Sequence, residues 1–146
     1  MGDKLLNNEG DQAYIKGTQA GYSSSLGGTD DNVDISYKGT GDDIWSHGFW
    51  AHGGKNIEYS FELKKGNYYV NEGFFEWWNT QRYMKITVYA GGNTIASKTF
   101  TLGQSDTRNQ QNVKFTLSST QIVTISVSKT SGADPVLSWI AILQDS

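Results

Sequence analysis

The residues best equipped for chemistry stand in one run of twelve, Glu72 to Tyr83, which reads Glu-Gly-Phe-Phe-Glu-Trp-Trp-Asn-Thr-Gln-Arg-Tyr. Five aromatic rings lie there beside two carboxylates, the amides Asn79 and Gln81 and the guanidinium of Arg82. A hydrophobic core has little use for that mixture. A sugar ring uses all of it, because its axial C–H bonds lie against a π face while its hydroxyls need planar, bidentate partners. Phe74 reads as ordinary core, and the Trp77–Trp78 pair divides between core packing and surface stacking. Two further tryptophans, Trp45 and Trp50, fall with His47 and His52 in the glycine-punctuated stretch 38–56, so four of the five tryptophans occupy two segments. Trp139, inside a final apolar run, reads as structural.

The carboxylates do not make a hydrolase. Glu72 and Glu76 share one face if the run is a continuous strand, but four residues at about 3.3 Å each set them roughly 13 Å apart. Retaining and inverting glycosidases need carboxyl separations of about 5–5.5 Å and about 6.5–9.5 Å. Glu58 and Glu62 fall on the polar face of a neighbouring strand and look solvated. Ser46-His47 lacks the Gly-x-Ser-x-Gly context of a nucleophile elbow, and the chain has no cysteine for thiol chemistry. His47 and His52 lack the spacing of a transition-metal pair and suit hydrogen bonding or stacking beside Trp45 and Trp50.

Asp30, Asn32 and Asp34 have an Asp-x-Asn-x-Asp spacing, yet Ile35 stands where an EF-hand needs glycine and Gly41 where it needs glutamate. A structural calcium assembled from separate loops is the metal site that this chain allows, with Glu9, Asp11 and Asp30 as its candidate ligands; ordinary turn chemistry is the rival use for these aspartates.

These groups must be held by strands. Ile57, Tyr59, Phe61 and Leu63 alternate with Glu58, Ser60 and Glu62, and Val33, Ile35 and Tyr37 alternate with Asp34 and Ser36. The run from Tyr68 to Trp78 alternates with rings on both faces. Met84, Ile86, Val88 and Ala90 then lead through Gly91-Gly92-Asn93 into residues 94–102, a hairpin. Val113 to Leu117, Val123 to Val127 and Val136 to Leu143 complete the pattern, with a first short strand at Ala13-Tyr14-Ile15. Residues 1–11 read as a loosely held leading segment, and residues 21–32 and 38–56 as loops. About nine short strands joined by Gly and Asn turns predict an all-β, two-sheet antiparallel β-sandwich of jelly-roll type.

The 146 residues suit one domain. Seventeen glycines, one proline and no helical period agree with an all-β chain. A net charge of −3, with Lys64-Lys65 as the longest basic run, argues against nucleic acid, which is gripped through clustered cations. No stretch approaches the roughly eighteen apolar residues of a membrane helix. The domain is expected to be monomeric.

The motifs Ile57-x-Tyr-x-Phe-x-Leu, Gly66-x-Tyr-x-Val, Phe74-x-Glu-Trp-Trp-Asn, Arg82-Tyr-Met-Lys-Ile-x-Val and Leu137-Ser-Trp-Ile-Ala-Ile together resemble the galactose-binding-like β-sandwich of non-catalytic carbohydrate-binding modules, malectin-like domains among them. The resemblance runs from about Ile57 to Leu143. It implies a polysaccharide as partner and attachment to a secreted, extracellular glycoside hydrolase. It also implies a structural calcium in many relatives, held by acidic residues of the first strand and an aspartate in the last, where this chain has Ser138. Transferred onto this sequence, a site at the loop end uses Trp45, Trp50, Trp77, Trp78, Asn79 and Arg82, with His47 and Tyr83 beside them. A site on a concave sheet face uses Tyr69, Asn71, Trp77, Tyr83 and Thr87. The expected ligand is a plant cell-wall type polysaccharide such as xylan or glucan; the alternatives are a lectin or adhesin for terminal galactose or arabinose, and a small glycosidase.

Overall fold

Alternation places apolar side chains on one face of each long strand, and two such faces can leave water only by packing together. The computed structural model describes residues 4–5, 20–22, 33–37, 45, 47–51 and 53–145, which form twelve strands and no helix. They are β1 (Lys4–Leu5), β2 (Ala20–Tyr22), β3 (Val33–Tyr37), β4 (His47–Ala51), β5 (Ile57–Leu63), β6 (Gly66–Phe74), β7 (Arg82–Ala90), β8 (Asn93–Leu102), β9 (Asn109–Leu117), β10 (Gln121–Gly132), β11 (Val136–Leu137) and β12 (Trp139–Asp145).

A four-stranded sheet in the order β1-β12-β6-β9 faces a five-stranded sheet in the order β2-β5-β10-β7-β8. Tyr68, Val70 and Phe74 of β6, Val113, Phe115 and Leu117 of β9 and Ile142 of β12 are buried from one side. Ile57, Phe61 and Leu63 of β5, Met84, Ile86 and Val88 of β7 and Val123, Ile125 and Val127 of β10 meet them from the other. The hairpin turn between β7 and β8 has Gly91 and Gly92 at φ 59° and 83°, the left-handed pair that a tight hairpin requires.

The all-β sandwich of antiparallel strands is thus as expected, and four differences bear on the site. A third, three-stranded sheet, β11-β4-β3, stands beside the two main ones. Its middle strand, β4, lies within the stretch expected to be loop, because Phe49 and Trp50 pair with Leu137 and Val136, a partner far along the chain. Second, the final apolar run is broken at Ser138: β11 belongs to the third sheet and β12 to the four-stranded one. The Ser138 N–H donates to the Gly73 carbonyl (2.8 Å), which marks the crossing point. Third, part of the leading segment is ordered as β1, which pairs with β12 through Lys4 and Gln144. Fourth, β6 ends at Phe74 rather than continuing to Trp78. The strand expected at Ala13-Tyr14-Ile15 lies outside the described residues.

Gly73 shows why that crossing tolerates no side chain. A Cβ built there would fall on the indole of Trp139, at Nε1 and Cε2, because the ring lies flat against the glycine of the paired strand. Gly73→Ala is therefore expected to unseat Trp139 and to cost about 1–3 kcal/mol in denaturant unfolding, with loss of the near-ultraviolet signal of that ring.

Candidate functional site

With β6 finished at Phe74, residues 75–81 form a loop whose parity is no longer that of a strand. Its anchor is Glu76. The Glu76 N–H donates to the Asp106 carbonyl (2.8 Å), and its carboxylate turns inward to become almost fully buried. Arg82, the first residue of β7, donates from Nε to Oε1 and from Nη2 to Oε2 (3.1 Å), and from Nη1 to the carbonyl of Asp134 (2.6 Å). Glu76 Oε2 also accepts the backbone N–H of Trp78 (2.7 Å). One carboxylate and one guanidinium thereby tie together the loop, the start of β7 and the turn that follows β10.

The rings are arranged over this clamp. The guanidinium carbon of Arg82 lies 5.3 Å from the Trp78 ring centroid, a cation–π distance. Trp50 and Trp77 both meet Trp78 edge to face, each at 5.8 Å between centroids, with interplanar angles of 73° and 80°. Phe75 tilts against Trp77 at 5.7 Å. Trp77 reaches inward, its Cη2 2.8 Å from where a Cβ on Gly48 would stand, and it packs on the core. Trp78 is the ring left 44% exposed. Asn79 beside it is exposed and adopts φ 57°, a left-handed conformation that asparagine tolerates better than other side chains. Gln81 donates from Nε2 to the hydroxyl of Tyr83 (2.7 Å), which is 42% exposed.

The structure therefore brings together Trp50, Trp77, Trp78, Asn79 and Arg82 and sets Tyr83 next to them on β7. It assigns them different duties. Arg82, expected to meet ligand hydroxyls, is 5% exposed and committed to Glu76 and to the Asp134 carbonyl, so it holds the loop from beneath. Trp45 has a further set of contacts. It sits edge to face with Trp139 (5.3 Å, 83°), with the Arg108 guanidinium 5.8 Å from its ring and its carbonyl accepting the Ser138 hydroxyl (2.8 Å). The concave-face set is also divided: Tyr69 and Asn71 belong to the four-stranded sheet, Tyr83 and Thr87 to the five-stranded one, and Thr87 is buried. His47 has its backbone in β4; its side chain, His52 and the calcium candidates Glu9, Asp11 and Asp30 lie outside the described residues.

Sequence spacing did not reveal Glu76 as the organiser, although a carboxylate six residues before an arginine was the available signal. Nor did it reveal the fate of Glu72, which is 0% exposed on the inner face of β6 with neither carboxylate oxygen hydrogen-bonded among the described residues. Burial pushes this carboxyl up to about 8, since nothing offsets the desolvation of its charged form.

No protein-family model matches the sequence, and no curated protein does. Solved structures do match. A family 35 carbohydrate-binding module from Clostridium thermocellum superposes with a TM-score of 0.54 at 18% identity, covering 77% of this chain and 88% of that one. The CBM35 of Paenibacillus barcinonensis gives 0.53 at 16% identity, covering 88% of this chain and 100% of that one. The YXIM protein of Bacillus subtilis gives 0.53 at 16% identity over 91% of this chain, which spans only 34% of that longer protein. With two facing antiparallel sheets and these neighbours, the chain has the galactose-binding-like β-sandwich fold.

Proposed function

We propose that this domain is a non-catalytic carbohydrate-binding module that holds a plant cell-wall type β-glycan, such as xylan or glucan, on the loop at residues 75–81. One observation carries the reading: a 44% exposed indole, Trp78, is fixed in orientation by two neighbouring tryptophans and a buried arginine, with the amides of Asn79 and Gln81 exposed on the same loop. An oriented flat ring supplies stacking at little entropic cost, and exposed amides on the same loop supply the directional hydrogen bonds that select among hydroxyls. The fold shared with family 35 modules supports the same reading. Of the two carboxylates in the cluster, Glu72 is sealed in the core and Glu76 is bound to Arg82, so neither is poised as a glycosidase acid or nucleophile. In this proposal the domain is one monomeric module of a larger extracellular glycoside hydrolase.

Affinity electrophoresis through gels containing xylan or β-glucan tests it. Trp78→Ala is expected to weaken retardation by roughly two- to tenfold, the equivalent of about 0.5–1.5 kcal/mol of aromatic stacking, with the unfolding midpoint nearly unchanged. Trp45→Ala is expected to leave retardation intact, because the Trp45 ring packs edge to face on Trp139. Equal retardation of wild type and the Trp78 variant sinks the assignment. Trp77→Ala is the less clean probe, since Trp77 also fills space against Gly48 and the core.

A further inference from the structure

Glu72 stands between Val70 and Phe74 on the inner face of β6, and all three are 0% exposed. A carboxyl without a hydrogen-bond partner among the described residues, in such a place, calls for a physical explanation. Its cross-strand neighbours are Ile140 on β12 and Gln111 on β9. Among the described residues, the titratable positions in register with the inner faces of the two main sheets are Lys4 on β1, Tyr22 on β2, Tyr59 on β5, Tyr68 on β6, Arg82 on β7, Lys98 on β8 and Lys129 on β10. Arg82 is held by Glu76, Lys129 lies 3.4 Å from Asp134, Tyr68 donates its hydroxyl to the Lys64 carbonyl and is itself raised by desolvation, and Lys98 is exposed at the edge strand. Residues 136–137 of β11 and the inner faces of β9 and β12 add no ionisable group.

The residue that directly opposes Glu72 across the sheet, on the same face, is Gln111, which carries a polar amide. One donor of that amide is already in use. Gln111 Nε2 donates to Asn109 Oδ1 (2.7 Å), and Asn109 Nδ2 donates to Asp106 Oδ2 (3.1 Å). Asp106 Oδ2 also accepts the Gly103 N–H (2.7 Å), and the Asp106 carbonyl accepts the N–H of Glu76 (2.8 Å). Glu76 in turn fixes Trp78 and Arg82. Hydrogen bonds thus lead, residue by residue, from the residue opposite Glu72 to the backbone of Trp78.

We propose that Glu72 is a proton-operated latch for the Trp78 loop, acting through Gln111, Asn109 and Asp106. While the carboxyl is protonated it lies quietly in the core, and the chain of amides stays aligned. Once ionised it draws the Gln111 amide away from Asn109, the turn at Asp106 loosens, and Glu76 loses the carbonyl that seats the loop. Regulation of sugar binding by this latch rests on the function proposed above; the movement of the loop does not.

The test follows the indole N–H resonance of Trp78, assigned by its loss in Trp78→Phe, in the full chain from pH 6 to 9.5. The wild type is expected to show a one-proton shift with its midpoint near 8. Glu72→Gln is expected to show none, and Gln111→Leu is expected to flatten the Trp78 response while the pH dependence of unfolding persists. The proposal is overturned by a wild-type resonance that does not move, by Glu72→Gln or Glu72→Leu titrating as the wild type does, or by Gln111→Leu leaving the Trp78 response unchanged. A parallel arm measures retardation by xylan and β-glucan at pH 6 and pH 9. If the Trp78 resonance titrates as expected yet no polysaccharide retards the protein at either pH, the latch stands and the reading of the loop as a glycan site falls.

Discussion

Arg82→Ala is expected to destabilise the domain by about 3–5 kcal/mol, the loss typical when one partner of a buried ion pair is deleted and the other is left uncompensated. The abandoned partner is Glu76, which is 6% exposed and receives two of the three hydrogen bonds that Arg82 makes to its neighbours. The third, to the Asp134 carbonyl, would be left open as well. Equilibrium denaturation measures the loss. A companion variant with both Glu76 and Arg82 replaced by apolar residues of similar volume is expected to recover much of it, because no charge is then stranded. Arg82→Lys is expected to fall between, since an ammonium cannot reproduce the two-pronged contact with Glu76 or the flat approach to Trp78. Should Arg82→Ala unfold at the wild-type midpoint, the pair would have no part in holding the loop.

The second large effect is one of pH. The Glu72 carboxyl is raised from 4.5 to about 8 in the folded protein. Below 4.5 it is protonated in both states and does not affect the balance. Between 4.5 and about 8 the unfolded chain has given up the proton that the native state still binds, so stability falls as pH rises, at about 1.4 kcal/mol per pH unit for one group. Above about 8 both states are ionised and the loss is complete. Glu72→Leu is expected to remove this slope and to be more stable than the wild type at pH 8, with a much smaller difference at pH 4. Chemical denaturation at a series of pH values checks it; parallel slopes for the two proteins across this window would mean that Glu72 titrates normally.

Much of the sandwich was legible because strand parity is a local signal. The alternation in β5, β7 and β10 sorts inner from outer side chains without knowledge of the partner strand, and the Gly91-Gly92 turn specifies the β7–β8 hairpin by its backbone requirement alone. The cluster of rings and polar groups from Glu72 to Tyr83 was legible for the same reason, since composition needs no fold to be noticed. Parity failed where a distant group ended it. The run through Trp78 alternates well enough to be a strand, but the Asp106 carbonyl takes the Glu76 N–H and turns the chain into a loop, which lets Trp77 go inward and Trp78 outward while their rings still touch.

Tertiary pairing decided the rest. β4 is five residues in a glycine-rich stretch, stabilised by β3 and β11, and nothing in its own sequence names those partners. The last apolar run splits at Ser138 because Gly73 offers its carbonyl there and leaves room for Trp139 on the other side. Residue types alone nominated Trp50, Trp77, Trp78, Asn79 and Arg82 for one region. Which ring faces solvent, that Arg82 serves the fold, that Trp45 meets Trp139 and that Glu72 is sealed inside all depend on burial and on hydrogen bonds between residues far apart in the chain, and those forces exist only once the sheets have met.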